Sequence, residues 1–312
     1  MRCALFASLC LFLCACGATN TSAGRPDEMK QHSIVVGGAT RHFLIFSPSS
    51  VSHNKTRPLI IALHGGGTNG ESMARFSALN QKAQQAGFIV VYPDGSGRFS
   101  KVLTWNAGAC CGYARENNIN DVQFISEQID ELVAHEGVDA ARVYVTGMSN
   151  GAMMAYRLAA EIPEKIAAVA AVAGTLGVPP SAIRAPMPIL HFHGTEDQHV
   201  PYTGGHGPKS AAGNVHRSVD ETINAWIAVN HANRLPSVTP MPDMAKDGMT
   251  VTRYNYASAS DPHAVVLYKI DGGGHTWPGQ PRLERLLGPT TLDISANDLM
   301  WKFFVAHPKA GK

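Results

Sequence analysis

The sequence predicts an α/β fold: a doubly wound, mostly parallel sheet preceded by an antiparallel hairpin. Three observations predict it. Apolar runs at 58–63, 88–92, 142–146, 166–173 and 188–192 lack polar alternation, as strands buried on both faces do. Segments of helical period separate several of these runs, which calls for parallel crossover connections. Residues able to do chemistry lie just past the predicted strand ends, where such sheets place their sites.

The chain opens on a segment apart. Met1-Arg2 is a short positive start and residues 3–16 are apolar. That run is too short to cross a bilayer, which needs about 20 residues, and it suits a secretory leader. It ends Leu13-Cys14-Ala15-Cys16 before small polar residues. The pattern resembles a bacterial lipobox, with Cys16 as the lipidated residue; plain cleavage and secretion is a second reading and a cytoplasmic protein a third. The expected division is a leader at 1–16, a flexible tether at 17–31 and one catalytic domain at 32–310.

Residues 32–46 hold two apolar runs around Gly37-Gly38, a hairpin signature. The strand at 58–63 stops at His64-Gly65-Gly66-Gly67. Residues 72–86 read as one helix with Gly87 at its C-cap. The strand at 88–92 is followed by an irregular stretch, 96–118, expected to be an ordered active-site loop. A helix runs from Asn120-Asp121 to about Glu136. The strand at 142–146 leads into Gly147-Met-Ser-Asn-Gly151 and a small-residue helix, 152–160. The strand at 188–192 ends in His191-Phe-His-Gly-Thr-Glu-Asp197, and a Gly-rich segment at 202–215 and a helix at 218–230 follow. A strand pair at 251–256 and 265–270 precedes Gly272-Gly-Gly-His-Thr-Trp-Pro278, and a helix at 294–307 closes the chain.

Gly147-x-Ser149-x-Gly151 after a strand and before a helix fits a nucleophile elbow. A hydroxyl is a poor nucleophile at neutral pH and needs a base, itself oriented by an acid. His275, behind three glycines, is the candidate base. Asp197 is the candidate acid, with Glu196 and Asp271 as weaker alternatives. Ser149, Asp197 and His275 follow the Ser–Asp–His order of α/β-hydrolases. The N–H groups of Gly66, in the His-Gly-Gly-Gly loop, and of Asn150, at a helix start, are the candidate oxyanion donors.

Net charge is +2 and no basic run stands out, so no nucleic-acid footprint is present. No Lys-Ser/Thr follows the glycines at 65–67, so a phosphate loop is unsupported. His191, His193, His199 and His206 match no zinc spacing; His191 and His193 would share a strand face, and one or both are expected to pack near the triad. No metal or cofactor is expected. Of six cysteines only Cys110 and Cys111 lie outside the leader. They read as buried thiols or, in an oxidising compartment, as a bridged pair.

Leu63-His-Gly-Gly-Gly, Trp105-Asn-Ala-Gly-x-Cys-Cys-Gly-Tyr113-Ala, Asn120-Asp-Val-x-Phe-Ile125, Gly147-Met-Ser-Asn-Gly-Ala-Met, His193-Gly-Thr-x-Asp-x-x-Val-Pro-Tyr202 and Gly272-Gly-Gly-His-Thr-Trp-Pro-Gly279 together resemble the polyhydroxybutyrate-depolymerase-type esterases, relatives of feruloyl and acetyl-xylan esterases. The resemblance spans roughly residues 32–307. It implies a serine ester hydrolase with Ser149 as nucleophile, Asp197 as acid and His275 as base. It also implies that Trp105, Tyr113 and Trp277 line the substrate pocket, although core aromatics would read the same way. Asn120 stands where the family often has a second Asp. The chain ends soon after its closing helix, without room for a polymer-binding module, which points to soluble or oligomeric esters. A serine peptidase on the same scaffold and a non-catalytic surface-binding lipoprotein are the alternatives.

Overall fold

A computed structural model describes residues 29–48, 56–210, 213–257, 263–281 and 285–309. The leader, most of the tether and Cys16 lie outside the described residues. The strands in chain order are β1 (Lys30–Val36), β2 (Ala39–Phe46), β3 (Arg57–Leu63), β4 (Ile89–Pro93), β5 (Ser96–Phe99), β6 (Val102–Thr104), β7 (Val138–Met148), β8 (Ala168–Val172), β9 (Ile189–Gly194), β10 (Gly205–His206), β11 (Val215–His216), β12 (Ser237–Pro240), β13 (Thr250–Asn255) and β14 (Val265–Asp271). The helices are α1 (Gly70–Ser77), α2 (Leu79–Ala86), α3 (Gly112–Glu116), α4 (Asp121–His135), α5 (Asn150–Glu161), α6 (Val219–Asn230) and α7 (Ala296–Ala306).

Ten strands form one sheet in the order β1-β2-β4-β3-β7-β8-β9-β14-β13-β12. The central strands β4, β3, β7, β8, β9 and β14 run parallel. Antiparallel pairs flank them at both edges. The β1–β2 turn pairs Val36 with Ala39 and leaves Gly37 and Gly38 at φ 57° and 81°. Both positions need positive φ, which is why two glycines announce this hairpin.

The unalternating runs have a simple cause. In β3, Leu59, Ile61 and Leu63 enter one core while Ile60 and Ala62 enter the other. Successive strand residues point to opposite faces, and helices cover both faces, so every position is apolar. Trp105 and Trp226 fill the first core; Trp277, Tyr144 and Phe304 fill the second.

Three details differ from the sequence expectation. The helix at 72–86 is two helices broken at Ala78, which sits at φ 52°. Ser77 Oγ donates back to Met73 O, and Asn297 Nδ2 on α7 donates to Ser77 O, so a partner outside the helix takes its last carbonyl. The stretch 96–118 contains the β5–β6 hairpin and α3. Its anchor is long-range: Leu103 pairs with Thr68, beside the glycine loop. Strand β12 was not foreseen, because its four exposed residues include Pro240 and carry no core-facing pattern.

Candidate active site

Ser149 sits between β7 and α5 at φ 57°, ψ −122°. A non-glycine residue there costs on the order of 1–3 kcal/mol, sustained only where the surroundings hold it. They do: Ser149 N donates to Val172 O of β8 (2.9 Å), and Met153 N donates to Ser149 O (3.0 Å). A Cβ on Gly147 would lie 2.5 Å from the Gly151 carbonyl carbon, and one on Gly151 would collide with Leu63 O. Both glycines of the motif are therefore required by close backbone packing.

Asp197 and His275 follow β9 and β14, which are adjacent parallel strands. His275 Nδ1 donates to Asp197 Oδ2 at 2.7 Å, and both residues are buried. The other oxygen, Oδ1, accepts from the backbone N–H groups of His199 (2.8 Å) and Val200 (2.9 Å). Burial alone would push the Asp197 carboxyl up. The neighbouring His275 charge and the hydrogen bonds from His193 and His275 outweigh it and hold the group far below the usual carboxylate range. Because Nδ1 carries the hydrogen, His275 Nε2 is the free acceptor. The His199 ring stacks on His275 with centroids 4.8 Å apart, a contact with no sequence signal beyond proximity to Asp197. Ser149 Oγ makes no hydrogen bond to His275 Nε2 in this conformation; such contacts commonly close only when substrate binds. The weaker acid candidates are placed elsewhere: Glu196 is exposed, and Asp271 pairs with Lys269 at 2.8 Å.

Gly66 lies against Asn150, with a built Cβ 3.6 Å from Asn150 Cβ. The peptide preceding it is fixed by its carbonyl. Gly65 O accepts from His64 Nδ1 (2.8 Å), Thr68 Oγ1 (2.8 Å) and Thr68 N (3.3 Å). A planar trans peptide then points the Gly66 N–H the opposite way. Neither the Gly66 nor the Asn150 N–H has a hydrogen-bond partner among the described residues. Asn150 also clamps the adjoining loop, since Oδ1 accepts from Trp105 N (2.7 Å) and Nδ2 donates to Trp105 O (3.0 Å).

His64 is fully buried. Gly95 N donates to its Nε2 at 3.0 Å, so only the neutral ring with hydrogen on Nδ1 fits. Burial pushes its pKa down to about 4, the Gly65 bond opposes this, and Arg41 adds to it. Above pH about 6.5 the ring is neutral in folded and unfolded chains alike and has no effect on stability. Between about 6.5 and 4 only the unfolded chain gains the proton, so stability is lost as pH falls, by roughly 3 kcal/mol across the window. His191, whose pKa burial also lowers, acts in the same direction. Urea midpoints at pH 7 and pH 5 should show this loss; equal midpoints would refute it.

The aromatic expectation requires correction. Trp105 and Trp277 expose 0% and 1% of their surface and have no face to offer a substrate. Trp105 Nε1 donates to His64 O (3.0 Å) and its ring lies 4.9 Å from His64. Trp277 Nε1 donates to Asn297 Oδ1 (2.9 Å) and its ring meets Phe76 edge-on. Both indole donors are satisfied inside the cores, and the rings brace the site from behind. Of the three, only Tyr113 on α3 is part-exposed. Cys110 and Cys111, both buried, are joined as a vicinal disulfide, with Asn214 Nδ2 3.3 Å and 3.4 Å from the two sulfurs.

Residues 49–233 match the family described as Phospholipase/Carboxylesterase. The chain is 33% identical over 284 residues to the esterase-named NocK of Nocardia uniformis subsp. tsuyamanensis, covering 87% of this chain and 81% of NocK. It is 32% identical over 165 residues to the bifunctional acetylxylan esterase/xylanase XynS20E of Neocallimastix patriciarum, covering 53% of this chain and 22% of that protein. Identity to poly(3-hydroxyalkanoate) depolymerase C of Paucimonas lemoignei is 27% over 250 residues, 75% of this chain and 58% of the depolymerase. Among solved structures, the acetyl xylan esterase from Aspergillus awamori shares the fold, with a TM-score of 0.61 over 89% of this chain and 99% of that one at 16% identity.

Proposed function

The chain belongs to the phospholipase/carboxylesterase family and is a serine esterase of the α/β-hydrolase fold; from that premise we propose that Ser149, His275 and Asp197 hydrolyse carboxylic esters through an acyl-enzyme. The observation that carries the reading is the buried Asp197–His275 bond at 2.7 Å on the sheet edge that also bears the Ser149 elbow. Ser149 Oγ attacks the ester carbonyl carbon while His275 Nε2 takes the hydroxyl proton. The oxyanion is met by the N–H groups of Gly66 and Asn150, each worth roughly 3 kcal/mol. Collapse expels the alcohol, which takes the proton from His275. Water then repeats the sequence, releases the acid and restores Ser149. Asp197 stays ionised throughout and stabilises the imidazolium.

The substrates are soluble or oligomeric esters: feruloyl or acetyl groups on polysaccharide, or hydroxyalkanoate oligomers. The names of the relatives and the motif resemblance support these classes. The enzyme works outside the cytoplasm, tethered to the cell envelope through a lipid on Cys16; the sequence of residues 1–16 supports this. Among the described residues no helix is long and apolar enough to cross a membrane. The test is a panel of feruloyl, acetyl-xylan and hydroxybutyrate-oligomer esters beside peptide substrates, ranked by kcat/KM, with a fluorophosphonate label mapped by mass spectrometry. Ester turnover with the label on Ser149 is expected. Peptide turnover without ester turnover, or a label on another residue, would overturn the reading.

A further inference from the structure

A line of buried rings leads away from the triad. His191 and His193 lie on β9 two residues apart, so they share a face, and their rings stack 5.2 Å apart at 9°. Tyr156 on α5 lies behind them. Tyr156, His191 and His193 are at most 1% exposed. The contacts run in series: Tyr156 Oη to His191 Nδ1 at 2.6 Å, His191 Nε2 to His193 Nδ1 at 3.0 Å, and His193 Nε2 to Val200 O at 2.8 Å. His193 Nε2 also lies 3.4 Å from Asp197 Oδ2, the oxygen that His275 uses.

The direction of every bond is determined. A carbonyl can only accept, so His193 Nε2 carries hydrogen. At the far end, the Tyr156 hydroxyl has His191 Nδ1 as its one acceptor among the described residues, so it donates there. His191 must then carry its hydrogen on Nε2 and donate to His193 Nδ1. The two ends give the same answer, and one tautomer of each ring satisfies the whole line. Donors in series polarise one another, so the single His193 N–H, held chiefly by Val200 O at 2.8 Å and shared with Asp197 Oδ2 at 3.4 Å, is a stronger donor than an isolated imidazole.

We propose that Tyr156, His191 and His193 form a one-way hydrogen-bond chain that keeps the Asp197 carboxylate ionised and aimed at His275, which makes them positioning residues for the reaction at Ser149. This rests on the triad reading above. The chain acts on the oxygen that bears the His275 contact, and so sets how much of the carboxylate charge falls on the imidazolium. Other titratable groups around the pair are His199, stacked on His275; His216, close enough for Asp197, His275 and His193 to act on its charge; and Tyr202, whose ring meets His193 edge-on. None of these belongs to the chain.

The test compares His193→Leu, His193→Gln and Tyr156→Phe with the unaltered enzyme on p-nitrophenyl acetate across pH 5–9. His193→Leu removes the N–H and leaves Asp197 Oδ2 to His275 alone. The imidazolium then persists to higher pH, so the acid limb of kcat/KM moves upward. The kcat falls roughly ten- to hundredfold with KM little changed. The amide of His193→Gln reaches the position of Nε2 and restores most of both. Tyr156→Phe removes only an oxygen and shifts the limb the same way by less; it decides the matter should His193→Leu not fold. An unshifted limb in the leucine and phenylalanine variants, or a glutamine variant as impaired as the leucine one, would overturn the chain. Ser149→Ala in parallel separates the two ideas: its full activity would sink the triad reading, whereas its inactivity beside an unshifted limb would sink the chain alone.

Discussion

Ser149→Ala should abolish ester turnover, with a loss on the order of 10⁶ in kcat, while the protein stays folded. The loss follows from the proposed mechanism, in which no acyl-enzyme forms without the Oγ. The rate that remains reflects only the oxyanion donors and substrate binding. The fold should be retained because Ser149 Oγ makes no hydrogen bond among the described residues, and the strained φ of 57° is imposed by backbone contacts that alanine keeps. Hydrolysis of p-nitrophenyl acetate, fluorophosphonate labelling and a circular-dichroism melt on the same preparation check all three parts. Full activity would place the nucleophile elsewhere, and a melt lowered by tens of degrees would mean the elbow depends on the hydroxyl after all.

Asp197→Asn should lower kcat by about 10⁴, by the logic of other triads. Here the structure supplies the reason. Asp197 Oδ2 accepts from His275 and lies 3.4 Å from the His193 N–H that Val200 O shares, and Oδ1 accepts from the N–H groups of His199 and Val200. An asparagine has one oxygen and one NH₂ group. Whichever way the amide is turned, its NH₂ confronts a pair of donors in a buried site. Turned toward His275, it also reverses the tautomer, placing hydrogen on Nε2 where a lone pair is needed. Stability should fall as well, by roughly 1–3 kcal/mol for each buried donor left unmet. The comparison of kcat and urea midpoint against Asp197→Glu and Glu196→Gln checks this. A mild effect in Asp197→Asn with a severe one in Glu196→Gln would transfer the acid role.

Some of this was plain in the chain and some was not. The glycines at 147 and 151 announced the elbow, because a Cβ at either position meets backbone. The runs through β3, β4, β7, β8 and β9 point to a two-faced sheet, because their shortness and β-branched content suit strands covered on both faces better than buried helices. Ala78 gives no sign that a helix stops there, and Asn297, whose side chain takes the last carbonyl, lies far along the chain. The chain places one or both of His191 and His193 near the triad, but does not thread them onto a tyrosine of another element.

The amino-acid order by itself determined the scaffold, the direction of its strands and which side chains reach its functional edge, because periodicity and glycine placement are local properties with local physical causes. Tertiary structure alone decided what each aromatic does. Trp105 and Trp277 have the composition of pocket walls, yet His64, Asn297 and Phe76 enclose them. Burial depends on what arrives from the other side of the sheet, and nothing within a single segment encodes that.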